Sequence, residues 1–159
     1  MALVSTRTLG ALRGLPFCLK IPVILDDTPS GIMPQKAHAS DAGFDLFSPI
    51  TKIIAPHGQI FIDTGVRVLI PEGYVGFLKS KSGLNAKAGI ITEGVIDAGY
   101  TGTIGVVVRN TSDRPYEVSY GDKITQLVVL PIPPVELYRA ESFTSKTERG
   151  EGGFGSTGK

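Results

Sequence analysis

Five short stretches of this chain gather charged, hydroxyl and glycine residues more densely than a connecting loop requires. Lys79-Ser80-Lys81-Ser82-Gly83-Leu84 places two ammonium groups and two hydroxyls just before an expected helix start. Free N–H groups there, beside cations, suit an anion. Ser82 suits plain N-capping equally well. Gly94-Val95-Ile96-Asp97-Ala98-Gly99-Tyr100-Thr101-Gly102 carries a carboxylate from the end of an apolar strand into a glycine-containing turn. A turn-forming Asp97 and a half-buried Tyr100 would also account for that stretch. Gly121-Asp122-Lys123-Ile124-Thr125-Gln126-Leu127-Val128 leads a turn into a strand whose apolar run Gln126 interrupts; an outward strand polar is the plainer reading. Asp41-Ala42-Gly43-Phe44-Asp45-Leu46-Phe47-Ser48 sets Asp45 among apolar neighbours, where it can also cap a turn. Finally, Arg149-Gly150-Glu151-Gly152-Gly153-Phe154-Gly155-Ser156-Thr157-Gly158-Lys159 has too many glycines to hold a regular element cheaply. It reads as a disordered terminus, or as an arm that orders over a ligand, with Phe154 stacking and Arg149 pairing with an anion.

The elements that must position these stretches are short strands. Leu19–Leu25, Ile60–Ile70, Tyr74–Lys79, Ile104–Val108 and Ile124–Leu130 are β-branched runs separated by turn signals such as Pro71-Glu72-Gly73 and Tyr120-Gly121-Asp122. Pro22 suits a strand edge or end. Only Gly83–Ala88 has room for a short helix. Twenty glycines and eleven prolines in 159 residues favour turns over long helices. The expected fold is all-β: a distorted jelly roll or barrel-like sandwich with one short helix and a flexible C-terminal arm. Residues 1–18 form a leader, 19–141 the β domain, and 142–159 the mobile arm. The leader holds Arg7 and Arg13 and no acid, as a weak organelle-targeting peptide does, though a disordered leader or an upstream start is the plainer reading. Cytoplasmic localisation is expected, or organellar or nuclear if residues 1–18 are a targeting segment.

Composition excludes several classes. A net charge of +1 argues against nucleic-acid binding by bulk charge, and the aromatics do not interleave with a basic patch. A hydrophobic content of 42% argues against wholesale disorder. No run approaches the roughly 18 apolar residues of a membrane helix. The single cysteine, Cys18, allows neither an intrachain disulfide nor a thiolate zinc cluster. His38 and His57 are too far apart in sequence for a metal-ligand motif.

The five stretches, in this order and spacing, resemble the five motifs of the trimeric dUTPase family, over about residues 20–159. The glycine-rich tail and Gly94-Val95-Ile96-Asp97 are the most specific pieces. Two departures stand out. Lys81 occupies a position where the family usually has Arg, so a point charge replaces a bidentate fork. Ala98 and Gly99 fill a turn that often holds acids, which puts the turn's rigidity in question.

The resemblance implies Mg²⁺-dependent hydrolysis of dUTP to dUMP and pyrophosphate by water attack on the α-phosphorus. Such an activity keeps uracil out of DNA and supplies dUMP for thymidylate synthesis. It implies that Asp97 orients the water; aspartate is a weak base at neutral pH, so alignment matters more than basicity. Tyr100 would lie against the deoxyribose and exclude a 2′-hydroxyl, with backbone around Gly94 and Tyr100 reading the uracil edge. Lys81, Ser82, Gly83 and Gln126 would hold the phosphate chain. Arg149 would pair with the γ-phosphate, Phe154 would cover the base, Ser156 and Thr157 would add hydroxyls to phosphate, and Gly155 would join them in binding the substrate. Asp45 would hold a magnesium-bound water or orient Arg149. Mg²⁺ is expected on the triphosphate, with no direct protein ligand. The implied assembly is a homotrimer with shared sites: Asp97 and Tyr100 from one copy, Asp45, Ser82 and Gln126 from a second, the tail from a third. No nucleic-acid or membrane partner is implied. Two rivals remain: a dCTP deaminase of the same superfamily, for which Glu93 is the one nearby acid besides Asp97, and a regulatory protein on the same scaffold.

Overall fold

Along Gly105–Asn110, Val106, Val108 and Asn110 are buried while Val107 and Arg109 face out. This period of two recurs through the chain and builds sheets covered on one face. The computed structural model describes residues 18–143, 145 and 147–152. These form β1 (Val23–Leu25), β2 (Gly43–Phe47), β3 (Lys52–Ile54), β4 (Gln59–Asp63), β5 (Val66–Val68), β6 (Tyr74–Lys79), α1 (Ser82–Ala88), β7 (Ile90–Ile96), β8 (Gly105–Asn110), β9 (Tyr116–Val118) and β10 (Lys123–Pro131). Six strands join in the order β2-β10-β6-β7-β8-β4; β1 pairs with β5 and β3 with β9, every pair antiparallel. The large sheet curls around a core of Leu46, Ile62, Val66, Leu78, Ile104 and Val106. The all-β expectation with one short helix holds. Among the described residues no helix is long and apolar enough to cross a membrane.

Three differences from the sequence reading have local causes. The expected Ile60–Ile70 strand is broken after Asp63. Gly65 takes φ 64°, and a Cβ there would lie 2.2 Å from the Pro29 carbonyl oxygen. Only glycine fits that corner, which sends β5 to a different partner from β4. The expected Leu19–Leu25 strand shortens to three residues because Pro22 lacks an N–H. β2, β3 and β9 were not expected as strands; β3 and β9 are only three residues each, too short to show a period. Among the described residues regular structure ends at Pro131, and Val135, Leu137, Tyr138 and Phe143 beyond it are 75–96% exposed.

Candidate active site

β10 is the strand on which one half of the candidate site is organised. It lies between β2 and β6, with Gln126 opposite Asp45 on one side and Lys79 on the other. The pairing with β2 slips between Lys123 and Thr125: Lys123 faces Phe47 and Thr125 faces Leu46. Three residues apart, Lys123 and Gln126 would point to opposite faces of a regular strand. The bulge adds one residue and brings both to the face that carries Asp45. β6 ends at Lys79, and the chain turns through Ser80 and Lys81 into α1. The Ser80 hydroxyl donates to the Thr92 carbonyl and accepts the Thr92 N–H, which fixes that turn on β7.

The result is a three-residue charge cluster. The Asp45 carboxylate, 9% exposed, accepts the Lys81 Nζ on one oxygen and the Lys123 Nζ, at 2.9 Å, on the other. Burial pushes the Asp45 pKa up, but hydrogen bonds from both lysines and their charges outweigh it and hold the carboxyl below its ordinary value. Gln126 packs over Gly43, and its Nε2 reaches the Ser80 carbonyl at a long 3.5 Å. Lys81, not Ser82, is the N-cap residue of α1 and makes no side-chain cap. Ser82 and Gly83 are therefore exposed in the first turn, where N–H groups lack intrahelical acceptors. Sequence reading missed Lys123; its signal was a cation directly after the Gly121-Asp122 turn and three residues before Gln126.

Asp97 and Tyr100 lie elsewhere. β7 and β8 pair only through Ile90–Thr92 with Val108–Asn110. Beyond Thr92, β7 continues against β6 alone, and β8 continues against β4. The two strands part and leave a cleft of about 450 Å³ lined by Phe61, Val95, Asp97, Tyr100, Thr103 and Gly105. Strand backbone groups alternate sideways, so half of those at Glu93–Ile96 face this cleft rather than β6. Gly94 sits opposite Leu78, whose Cδ1 would be 2.9 Å from a Cβ there, so packing also selects glycine. Gly105 likewise admits the Phe61 ring, which a Cβ would overlap. The turn after Asp97 is held by the Tyr100 N–H on the Asp97 carbonyl (3.2 Å) and the Gly99 N–H on the Ile70 carbonyl (3.0 Å). Gly99 takes φ 78°, so glycine supplies the turn that acids often occupy.

The two groups do not meet within one chain. Ile96 is opposite Gly76 on β6, whereas Asp45 aligns through Gln126 with Lys79. Four residues along the strands and three strand spacings across separate Asp45 from Asp97 by roughly 20 Å measured along the sheet. Arg149 meets neither group: its Nε donates to the Gly152 carbonyl at 3.0 Å. Phe154, Gly155, Ser156 and Thr157 lie outside the described residues. Among the described residues no three His, Cys, Asp or Glu side chains gather as a metal cage.

Comparison with known proteins decides the family. The dUTPase family model matches residues 30–158. The chain belongs to the dUTPase family. Curated family members include the deoxyuridine 5'-triphosphate nucleotidohydrolases of Clostridium tetani and Candida albicans. The first is 41% identical over 146 residues, covering 90% of this chain and 98% of its own. The second is 42% identical over 134 residues, covering 83% and 84%. Among solved family structures, the Staphylococcus bacteriophage 80alpha dUTPase with dUpNHpp superposes with a TM-score of 0.81 at 36% identity, covering 87% of this chain and 98% of that one. A mutant dUTPase from phage phi11 of S. aureus, which coordinates a structural Mg(II) ion, superposes with a TM-score of 0.73 at 34% identity, covering 80% and 100%. The chain is thus a dUTP diphosphatase with the jelly-roll-like fold of its family, as the motif order implied.

Proposed function

We propose that this enzyme hydrolyses dUTP at sites assembled between copies of the chain, each joining the Asp97–Tyr100 cleft of one copy to the Asp45–Lys81–Gln126 cluster of another. The single observation that carries this reading is the strand order: β10 and β6 lie between the Asp45 strand and the strand that leads to Asp97, roughly 20 Å along the sheet, further than a triphosphate reaches from a base-bound nucleoside. The phage relative's dUpNHpp, an imido analogue of dUTP, supports the substrate. A homotrimer is the assembly the family resemblance implies. An apolar groove of about 520 Å³, lined by residues such as Ile21, Phe44, Tyr74 and Val129, supports association between copies. So do the exposed Leu137, Tyr138 and Phe143, which pack on nothing in their own sheet.

In this reading the uracil edge enters the parted β7–β8 hairpin and bonds to its backbone groups. A 5-methyl meets the hairpin wall, and Tyr100 leaves no space for a 2′-hydroxyl. Asp97, at the cleft mouth, aligns a water on the α-phosphorus. The new P–O bond forms as the bond to the bridging oxygen breaks. The water's proton passes to the Asp97 carboxylate and then to solvent, and pyrophosphate leaves with the bridging oxygen. Lys81, with the exposed Ser82 and Gly83 and the side chain of Gln126, stabilises the leaving charge. Arg149 and the glycine-rich tail close over the nucleotide from a third copy and exclude water.

The donor set fits Mg²⁺ carried in on the triphosphate. With no acidic cage among the described residues, the ion would keep most of its ligands from phosphate and water. Each Asp45 oxygen that accepts a lysine retains a lone pair for a hydrogen bond from a metal-bound water. When bound, the ion neutralises phosphate charge. Pyrophosphate release from dUTP, dCTP, dTTP and UTP, with and without Mg²⁺, tests the reading. Turnover is expected for dUTP, with the other three far slower and chelation reducing the rate. Comparable turnover of all four nucleotides, or a rate indifferent to chelation, would overturn it.

A further inference from the structure

The loop from Asp97 to Ile104 needs an anchor for Tyr100 that its own sequence does not supply. Ala98, Gly99 and Gly102 offer no side chain that could brace it. Its far end is well held: the Ile104 N–H donates to the Val66 carbonyl (2.8 Å), and the Ile104 carbonyl accepts both the Thr64 N–H and hydroxyl. Its near end is held by the Asp97 turn. Between them the Tyr100 ring, 45% exposed, folds back over Gly102, where a Cβ would overlap the phenol. The Tyr100 hydroxyl donates to the Thr103 carbonyl at 3.0 Å. That bond lies within the loop, so the ring is placed against the sheet only as well as Thr103 is.

Thr103 is tied down from outside. Its hydroxyl donates to Asp63 Oδ2 at 3.0 Å, and Asp63 Oδ1 accepts the Gly65 N–H at 3.0 Å. Asp63 ends β4 at the corner that only Gly65 can turn. One partly buried carboxylate thus links a rigid corner of the sheet to the residue that holds the Tyr100 phenol. We propose that Asp63 and Thr103 are positioning residues that set the Tyr100 ring through the Asp63–Thr103–Tyr100 chain and thereby contribute to rejection of ribonucleotides. The inference rests on the sugar-facing role of Tyr100 given above. A wall that excludes one hydroxyl works only at close tolerance, so a loop freed to move should admit the 2′-hydroxyl more readily than it impairs the deoxyribose.

The test is the ratio of kcat/KM for UTP to that for dUTP, with thermal melts at one protein concentration. Thr103→Val removes the hydroxyl at nearly constant shape and keeps the carbonyl that Tyr100 needs; Asp63→Ala removes the anchor. Each is expected to raise the ratio about tenfold, in line with misplacement of a positioning contact. The double variant should match either single variant, because both cut one chain. Asp63→Asn keeps an acceptor and should restore most of the discrimination. Tyr100→Ala serves as the reference and should raise the ratio at least as far. A loss confined to folding would lower both substrates equally and leave the ratio unchanged. An unchanged ratio in Thr103→Val and Asp63→Ala, while Tyr100→Ala raises it, overturns the inference alone. An unchanged ratio in Tyr100→Ala overturns the sugar-facing role first, and this inference with it.

Discussion

Replacing Asp45 with asparagine should expose how the Lys81–Asp45–Lys123 cluster is balanced. The carboxylate is nearly buried, whereas the Lys81 and Lys123 side chains are 27% and 45% exposed. Exposed ion pairs contribute about 0–1 kcal/mol, while removing one partner of a fully buried pair costs about 3–5 kcal/mol. Both lysines can turn toward water when the charge goes, so Asp45→Asn should cost about 1–2 kcal/mol at pH 7, between those limits. That corresponds to a fall in Tm of roughly 2–8 °C for a domain of this size. The pH dependence follows from the lowered pKa. Below the unfolded value near 3.8, the unfolded chain takes up a proton that the folded carboxylate still refuses. Stability from Asp45 is therefore whole above that value and is lost as the pH falls through the folded pKa. Urea unfolding at fixed protein concentration should show the full gap between wild type and Asp45→Asn from pH 7 down to about pH 5. The gap should close as the pH falls below about 4. A gap of constant size down to pH 3, or a more stable asparagine variant, would refute the balance of charges described here.

Other outcomes follow from the same geometry. Asp97→Asn should bind dUpNHpp with near wild-type affinity by calorimetry yet lose about 10²-fold or more in kcat, as loss of an aligned general base does. Deleting Arg149–Lys159 should leave the melting temperature within a few degrees and reduce turnover strongly; wild-type turnover after truncation would remove the tail from the mechanism. Gly65→Ala should cost roughly 2–4 kcal/mol in urea unfolding, because it combines a positive φ with a clash against the Pro29 carbonyl.

The large features were legible because they rest on local chemistry. β6 and β10 are apolar runs that each follow a glycine turn, at Gly73 and Gly121, and Ser82–Ala88 is bracketed by the extended Lys81 and the left-handed Gly89. The motif order carried the family assignment. What escaped the sequence is set by pairing across the chain. The β10 bulge that brings Lys123 beside Asp45 is invisible to a period-two pattern. Asp63 and Thr103 are 40 residues apart and meet because β4 pairs with β8, which sets Asp63 opposite Gly105. The separation of Asp97 from Lys81 likewise depends on strand register, which no spacing along the chain encodes.

The claim that the site lies between copies can be tested by mixing two inactive variants. Asp97→Asn and Lys81→Met are prepared separately, unfolded together in equal amounts and refolded, and pyrophosphate release from dUTP is measured. In a cyclic trimer, each site takes Asp97 from one copy and Lys81 from the next. Random mixing should then regenerate about a quarter of the wild-type sites. Each variant refolded alone should stay inactive. Activity of the mixture no greater than the average of the two variants, with mixed trimers confirmed by native mass spectrometry, would contradict a shared site.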